Sequence, residues 1–279
     1  MTLPEKRDQL LARLKSWKSV AVAFSAGVDS TVVAKAAQLA LGDSAVAVTG
    51  KSASLASGEL DEARRLAKLI GIRHLVLETE ELSDPSYIHN APDRCYHCKS
   101  ELYTRLAGIR EQLGVSVVAN GANADDKNDY RPGLKAADEY AVQSPLADLG
   151  FTKADVRELA KHWELPVWDK PATPCLSSRI AYGQEVTPAR LAMIDDAERF
   201  LQDEGLLNVR VRYHGDVIAR IEVPTDSISR LADESLRTRL VARFHQLGFQ
   251  YITLDLEGFR SGSLNAFVDV GVLRSDAHS

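Results

Sequence analysis

Cysteine and long apolar runs are both scarce in this 279-residue chain. Its three cysteines, Cys95, Cys98 and Cys175, form an odd, sparse set that predicts thiols or metal ligands and not a disulfide framework. No stretch approaches the roughly 18 uncharged apolar residues of a membrane span. Residues 1–15 mix charges with leucines and lack the apolar core of a signal peptide. The composition therefore predicts a cytoplasmic protein without a membrane segment.

Positive charge is not in excess either, because the net charge is -5 and the sequence pI is about 5.8. Proteins that wrap nucleic acid need clustered lysines and arginines for phosphate contacts, so we expect no nucleic-acid partner. The negative net charge does not exclude a local basic pocket that binds a small anion. Hydrophobic residues make up 45% and charged residues 26%, an ordinary globular mix for a chain long enough for two domains.

The first half of the chain alternates short apolar runs with amphipathic helical patterns. Strands are predicted at residues 20–24, 45–48, 73–77 and 116–119, with helices at 30–41, 55–70 and 102–113. Helical crossovers of this length imply a parallel sheet covered on both faces. We predict an α/β fold, a Rossmann-like parallel sheet sandwiched by helices, which binds its ligands at the carboxyl ends of the strands.

The second half predicts a smaller α/β domain. A helix is expected from the N-cap Thr152 to about residue 162, followed by a linker over residues 165–182. Thr187-Pro188 then predicts a helix to about residue 204, and two alternating runs around His214 predict a hairpin. The expected domains are 1–182, with the motifs below, 183–270, for substrate binding or oligomerisation, and a flexible tail at 271–279.

A candidate phosphate loop lies directly between the first strand and the first helix. Its residues are Ser25-Ala26-Gly27-Val28-Asp29-Ser30. Gly27 is expected to permit a tight turn, and small neighbours let backbone N–H groups approach phosphate oxygens at the start of a helix. Ser25 and Ser30 offer hydroxyl donors, and Asp29 is a candidate Mg²⁺ ligand. The alternative is an ordinary strand-to-helix turn; a Walker loop is excluded because its Gly-Lys-Ser/Thr ending is absent.

An acidic loop, residues 120–133, follows the fourth predicted strand. Gly121 suits a tight turn, and the adjacent carboxylates of Asp125 and Asp126 suit Mg²⁺ or ribose hydroxyls. A solvated acidic turn is the alternative. The position at a strand end near the phosphate loop favours a functional site.

The cysteines leave four options open. Cys95 and Cys98 form a Cys-x-x-Cys at an expected helix start, and Cys175 follows much later. A zinc site would need a fourth ligand such as His89, a dithiol redox pair would leave Cys175 idle, and buried structural cysteines would need no ligand. The favoured option is a [4Fe–4S] cluster held by three thiolates, with one iron open to an extra sulfide.

The phosphate loop resembles the Ser-Gly-Gly-x-Asp-Ser loop of the adenine nucleotide alpha-hydrolase (PP-loop) superfamily. That resemblance implies cleavage of ATP between the α and β phosphates and adenylation of a substrate. Ala26 stands where the superfamily usually has glycine, and the loop is expected to accept the added methyl group if this residue has a negative φ. The superfamily's polar loop after the second strand meets adenine, which assigns Lys51 and Ser52 to nucleotide binding.

Longer strings resemble the LarE family of ATP-dependent sulfur transferases over residues 5–265. They lie at 128–136, 177–179, 209–214 and 254–262. The resemblance implies that the enzyme adenylates the carboxylates of a pyridinium dicarboxylate mononucleotide and converts them to thiocarboxylates, on the way to the nickel-pincer cofactor of lactate racemase. Some members sacrifice the sulfur of one cysteine, at the position of Cys175. The three-cysteine pattern found here implies a cluster-dependent enzyme that turns over catalytically.

The resemblance also assigns residues and partners. Arg179, Arg210, Arg212 and Arg260 are candidates to hold the substrate's phosphate and carboxylates, since guanidinium groups bind both in a bidentate way. Glu198 and Glu222 match acidic positions near the substrate or its metal. The alternatives are a solvated basic strand face and surface glutamates. A homohexamer, a sulfur donor and a downstream nickel-insertion protein are the implied partners.

Three other functions stay open. A tRNA thiolase would use the same activation, but the acidic balance and the absence of an evident RNA-binding module disfavour it. An amide-forming ligase would not need the cysteines. A nucleotide- and zinc-binding sensor would need no catalysis at all.

Overall fold

A computed structural model describes residues 1–128, 131–215 and 217–260. They form two compact units: the first contains 1–52, 58–81 and 95–173, and the second contains 53–57, 82–94 and the chain from 174 onward. Parts of the family strings (129, 130, 261 and 262), Asp216 of the hairpin and the predicted tail at 271–279 lie outside the described residues. A domain boundary after residue 182 stays a prediction.

The first unit is built on four parallel strands and the helices between them. Its strands are β1 (Val20–Ala23), β2 (Ala45–Lys51), β3 (Arg73–Glu78) and β4 (Val117–Ala119). Its helices are α1 (Leu3–Ser16), α2 (Val28–Leu41), α3 (Glu59–Ile70), α5 (Arg94–Leu113), α6 (Pro132–Glu139), α7 (Pro145–Asp148) and α8 (Lys153–His162). A short α4 (Pro85–Ile88) precedes α5 in the chain and belongs to the second unit.

The sheet of this unit has the strand order β3-β2-β1-β4, with every pairing parallel. All four residues of β1 are buried, because the strand is central and helices pack on both faces. One face meets α1, α2, α3 and α8 through residues such as Leu10, Val32 and Leu66, and the other meets α5 and α6 through Tyr103 and Leu106. The predicted fold class, a parallel sheet sandwiched by helices, is confirmed.

The second strand is longer than the sequence predicted. Thr49, Gly50 and Lys51 continue the ladder with β3, opposite residues 76–78. The polar loop expected at 49–52 is therefore strand up to Lys51, and only Ser52 follows it. The error arose because polar Thr49 and flexible Gly50 suggested a turn, whereas backbone pairing with β3 holds both extended. Helix α3 likewise begins at Glu59, after Gly58, and not at residue 55.

The second unit combines α4 with a small mixed sheet and its helices. Its further elements are α9 (Pro188–Asp203), β5 (Arg210–His214), β6 (Ile218–Glu222), α10 (Ile228–Leu231), α11 (Glu234–Leu247) and β7 (Tyr251–Leu254). The predicted hairpin is confirmed as the antiparallel pair β5–β6, and β7 pairs in parallel with β6. Val211, Tyr213, Ala219 and Ile221 are buried apolar positions of this sheet. None of the described helices is long and apolar enough to cross a membrane.

Alternation along β5 and β6 gives the sheet a second, charged face. Arg210 and Arg212 alternate with Val211 and Tyr213, so they lie on the face opposite the apolar residues. Arg212 is directly opposite Arg220 in the register, and Arg210 is opposite Glu222. The sheet therefore has one face for a core and one for charged groups.

Candidate functional site

The candidate phosphate loop lies at the carboxyl end of the central strand β1. Gly27 is the N-cap of α2 and has no side-chain cap, so the first backbone N–H groups of the helix have no cap acceptor there. The Ser30 hydroxyl donates to the Gly27 carbonyl at 3.1 Å and lies 3.2 Å from the Ser25 hydroxyl. A helix start without a side-chain cap, beside two hydroxyls, is an arrangement that suits an anion.

Ala26 corrects two of the sequence predictions for this loop. Its φ is +58°, in the left-handed region, and not the negative φ at which the loop was expected to accept an alanine. Gly27, which was expected to make the turn, has an ordinary φ of -78°. The tight turn is therefore made one residue earlier, by a residue with a methyl group. The left-handed conformation costs an alanine about 1–2 kcal/mol relative to a right-handed one.

We predict that replacing Ala26 with glycine leaves stability nearly unchanged. Both Ala26 and the helical Ala34 are fully buried, so either substitution loses a buried methyl group, worth about 0.8 kcal/mol. Glycine relieves strain at Ala26, whereas in the helix it adds a penalty of about 1 kcal/mol. Urea unfolding should show Ala34→Gly less stable than Ala26→Gly by about 2 kcal/mol. Equal losses in the two variants would contradict the left-handed assignment.

Asp29, in the first turn of α2, is the centre of a polar cluster at this edge of the sheet. Its carboxylate accepts a hydrogen bond from the Asn123 amide at 3.0 Å and forms an ion pair with Lys153. The backbone N–H of Lys153 donates to the Asp125 carboxylate at 2.8 Å. The starts of α2 and α8 and the loop after β4 thus converge on Asp29. This brings the predicted residues Asp29 and Asp125 into one cluster.

Gly121 lets the loop after β4 approach the phosphate loop closely. A Cβ atom at this position would lie 2.6 Å from the backbone nitrogen of Ser30, closer than real Cβ contacts come. No side chain fits there without moving the start of α2. Gly121 therefore serves the site by close backbone packing.

Lys153 and Asn123 are the members of this cluster that sequence reasoning did not select. Lys153 was included only in a helix that begins after Thr152, and that helix start is confirmed by a capping box with Asp155. Nothing in the local sequence links Lys153 to a loop 124 residues away in the chain. One general signal could have identified Lys153. In this type of fold, helices begin at the edge of the sheet where ligands bind, so a lysine at a helix start is a candidate site residue.

Lys51 and Ser52, predicted to bind nucleotide, have protein partners of their own. The Lys51 ammonium pairs with the exposed carboxylate of Glu78 at 2.8 Å on the next strand. The Ser52 hydroxyl donates to the buried carboxylate of Glu81. Thr49 donates to the Phe24 carbonyl and lies 2.8 Å from His74 Nε2. Burial and the nearby Arg64 lower the pKa of His74, so this ring stays neutral at pH 7.

The Cys-x-x-Cys pair lies in the first two turns of α5, at a helix start as predicted, although this helix begins at Arg94 and not at residue 102. Cys95 is exposed and Cys98 is half-buried, and their spacing of three residues puts both thiols on one helix face. In the other unit, Cys175 is half-buried and is the N-cap of a 3-10 helix, Leu176–Arg179. None of the three cysteines forms a disulfide.

Cysteine thiolates are the usual ligands of iron–sulfur clusters, so three cysteines outside disulfides match the chemistry of such a ligand set. Among the described residues, no group of three or more His, Cys, Asp or Glu side chains is arranged to hold a metal ion. The cluster and the Mg²⁺ ion therefore stay predictions.

Most of the predicted substrate residues of the second unit are paired with one another. Arg179 pairs with Glu198 through two 3.0 Å bonds, and both side chains are buried. Arg212 pairs with the fully buried Glu222 at 2.8 Å. Charges removed from water to this extent are stable only when paired and hydrogen-bonded. These four residues therefore form two salt bridges within the protein, which the sequence did not predict.

Positive charge is nevertheless in excess in the group of charged residues to which these pairs belong. Besides the two salt bridges, the group contains Arg210, Arg220 and Asp255. It therefore has four arginines and three carboxylates. Burial, with repulsion from Arg179, lowers the pKa of Arg210 to about 10. Its guanidinium is therefore charged at pH 7, but the charged form is less stable than that of an arginine in water. A bound anion would stabilise this charge. Arg260 is half-exposed and pairs with Asp255 and Glu257.

Comparison with known proteins places these features in a family. A family model described as asparagine synthase matches residues 7–125, which include the phosphate loop. The pyridinium-3,5-bisthiocarboxylic acid mononucleotide synthase of Lactiplantibacillus plantarum is 41% identical over 95% of this chain and 95% of its own length. The chain belongs to the LarE family of PP-loop sulfur transferases. It is accordingly an ATP-dependent sulfurtransferase.

Other relatives differ in how much of the chain they match. An uncharacterised protein of Synechocystis sp. is 46% identical over 88% of the chain and 91% of its own length. A tRNA-specific 2-thiouridylase of Bradyrhizobium sp. is 30% identical over only 54% of the chain and 47% of its own length. The likeness to the LarE enzyme covers almost the whole chain, and the likeness to the tRNA enzyme covers about half.

Proposed function

We propose that this LarE-family enzyme adenylates the carboxylates of pyridinium-3,5-biscarboxylic acid mononucleotide and converts them to thiocarboxylates. The observation that carries the proposal is the near full-length match to the bisthiocarboxylic acid mononucleotide synthase. The Asp29 cluster beside a helix N-terminus supports ATP activation, and the excess of arginine in the second unit supports an anionic substrate.

In the first step, a substrate carboxylate oxygen attacks the α-phosphorus of ATP and pyrophosphate leaves. The N–H groups at the start of α2 and the hydroxyls of Ser25 and Ser30 hold the phosphates. Asp29 and Asp125 would supply oxygen ligands for Mg²⁺, and Asp29 would then exchange its ion pair with Lys153 for the metal. Lys153 is then free to neutralise charge on the departing pyrophosphate.

In the second step, a sulfur nucleophile attacks the carbonyl carbon of the acyl-adenylate, and AMP leaves with the bonding electron pair. Cys95, Cys98 and Cys175 would hold a [4Fe–4S] cluster, which supplies a sulfide when it is bound. Arg210 and Arg260 are proposed to orient the substrate's anionic groups. A homohexamer, a cytoplasmic location and a role in lactate racemase maturation belong to the same proposal.

Pyrophosphate release with alternative substrates tests this function. We expect release that depends on ATP and the pyridinium dicarboxylate mononucleotide, with thiocarboxylate detected by mass spectrometry, and no release with tRNA. Release with tRNA alone would replace the proposal with a tRNA thiolase. Anaerobically purified protein should contain iron and acid-labile sulfide; zinc alone would support a nucleotide-binding sensor.

A further inference from the structure

The Arg179 side chain donates hydrogen bonds to the protein around Cys175. Its Nε and Nη2 atoms donate to the two carboxylate oxygens of Glu198, each at 3.0 Å. Its Nη1 atom donates to the carbonyls of Pro174 and Cys175 and to the Ser178 hydroxyl. The exposed fraction of the side chain is 1%. The Nε–H, one Nη2–H and both Nη1–H groups thus face protein acceptors, so no adjacent pair of donors is left to bind a substrate phosphate in a bidentate way.

Glu198 anchors this guanidinium to the framework of the second unit. It lies on α9, with an exposed side-chain fraction of 5%, and its Oε1 atom also accepts from the backbone N–H of Val211 in β5 at 2.9 Å. A continuous chain of hydrogen bonds thus runs from β5 through Glu198 and Arg179 to the carbonyl of Cys175. Burying such a pair contributes little net stability compared with an apolar pair, so its position needs another explanation.

Two other arginines hold the residues that follow Cys175. Arg94 donates to the Ser177 carbonyl at 2.8 Å, and Arg212 donates to the Ser178 carbonyl at 2.9 Å. Neither of these bonds reaches the carbonyl of Cys175 itself. Arg179 donates to the carbonyls of Pro174 and Cys175, the two residues whose backbone sets the direction of the Cys175 thiol.

We propose that Arg179, held by Glu198, is a positioning residue for Cys175 and does not bind substrate. The inference rests on the proposed sulfur-transfer function and assigns a different role to two residues that the family resemblance gave to the substrate. Arg179 acts through the backbone: it fixes the loop so that the half-buried thiol keeps one position. A displacement of about 1 Å in a reacting group can lower the rate about a hundredfold.

The test uses a double variant that removes the guanidinium without leaving a buried charge. Arg179→Met with Glu198→Gln replaces the ion pair by neutral side chains of similar size, and the glutamine oxygen can still accept from Val211 N–H. Arg199→Met is the matched control, since Arg199 lies on the same helix, is about half-exposed and pairs with Asp196. Circular dichroism and urea unfolding verify that both proteins fold.

We expect kcat for thiocarboxylate formation to fall about a hundredfold in the double variant. First-turnover pyrophosphate release and the KM for the dicarboxylate should stay within about twofold of the wild-type values, because activation does not use Cys175. A raised dicarboxylate KM together with slower pyrophosphate release would overturn the proposal in favour of direct substrate binding. An unchanged rate of sulfur transfer would also overturn it.

A chemical readout separates this proposal from the proposed function. With Cys95 and Cys98 replaced by serine, Cys175 is the sole thiol, and its alkylation by iodoacetamide can be followed by mass spectrometry. We expect alkylation to be several-fold faster when Arg179→Met and Glu198→Gln are added, because the loosened loop exposes the thiol. If the wild-type enzyme transferred no sulfur, the proposed function would fail, while this rate would still decide whether Arg179 positions Cys175. Equal alkylation rates would refute the positioning role.

Discussion

Cys175→Ala is expected to reduce thiocarboxylate formation by at least about a thousandfold, since loss of an essential nucleophilic group has effects of this order or greater. Whether Cys175 holds a cluster or gives up its own sulfur, no other group in its loop can replace the thiol. Pyrophosphate release in the first turnover should continue, because the phosphate loop lies in the first unit. A single-turnover assay that measures pyrophosphate and thiocarboxylate in the same sample tests both the activation step and the sulfur-transfer step.

Thr173→Ala is the matched control, because Thr173 is an exposed residue two positions earlier, and it should retain both half-reactions. Full thiocarboxylate formation by Cys175→Ala would end the assignment of Cys175 to sulfur delivery.

A second variant, Cys95→Ala, distinguishes the two possible sulfur sources. If a cluster delivers the sulfur, this variant is inactive; if Cys175 is the donor, it makes one product per active site and Cys175 loses the mass of H₂S.

Asp29→Asn is expected to slow pyrophosphate release by about a hundred- to a thousandfold, the loss typical of removing one preorganised electrostatic contact in a catalytic site. Asparagine keeps the shape and can still accept from Asn123, but it removes the negative charge that faces Lys153. The variant would bind Mg²⁺ more weakly, so the rate should recover in part as the Mg²⁺ concentration is raised. Initial rates measured across a Mg²⁺ series provide the test.

Asp43→Asn is the control for charge alone, since Asp43 is exposed just beyond the other end of α2. It should leave the rate and the Mg²⁺ dependence unchanged. Pyrophosphate release by Asp29→Asn within about twofold of wild type would show that the metal is held elsewhere, and would remove Asp29 from the proposed mechanism.

The fold was predictable from sequence because its signals are local. The all-apolar run at β1, the proline at the start of α9 and the alternation in β5 and β6 each report their own backbone conformation. The end of β2 was wrong because a strand terminus depends on its neighbour: β3 supplies the pairing that holds Thr49 and Gly50 extended. No property of residues 49–51 alone reveals that partner.

The site was predictable only in part, for a related reason. Asp29 and Asp125 were found because each follows a strand, and strand ends meet at one edge. Lys153 was missed because its role comes from contacts with two distant loops. Arg179 and Glu198 were found by resemblance, but their mutual pairing depends on burial, which a sequence does not display.

The second unit draws on chain segments far apart in sequence, and this governs how the protein can be made. Residues 53–57 and 82–94 leave the ribosome long before β5, β6 and β7 exist. The Asn90 amide can donate its hydrogen bond to the Gln184 carbonyl only after residue 184 has been made. The backbone N–H of Ser57 likewise needs the carboxylate of Asp195. The loop that carries Cys175 thus lacks its partners Glu198 and Arg212 until α9 and β5 have been made. A nascent chain stalled before β5 would contain all the residues of the first unit but only part of the second unit.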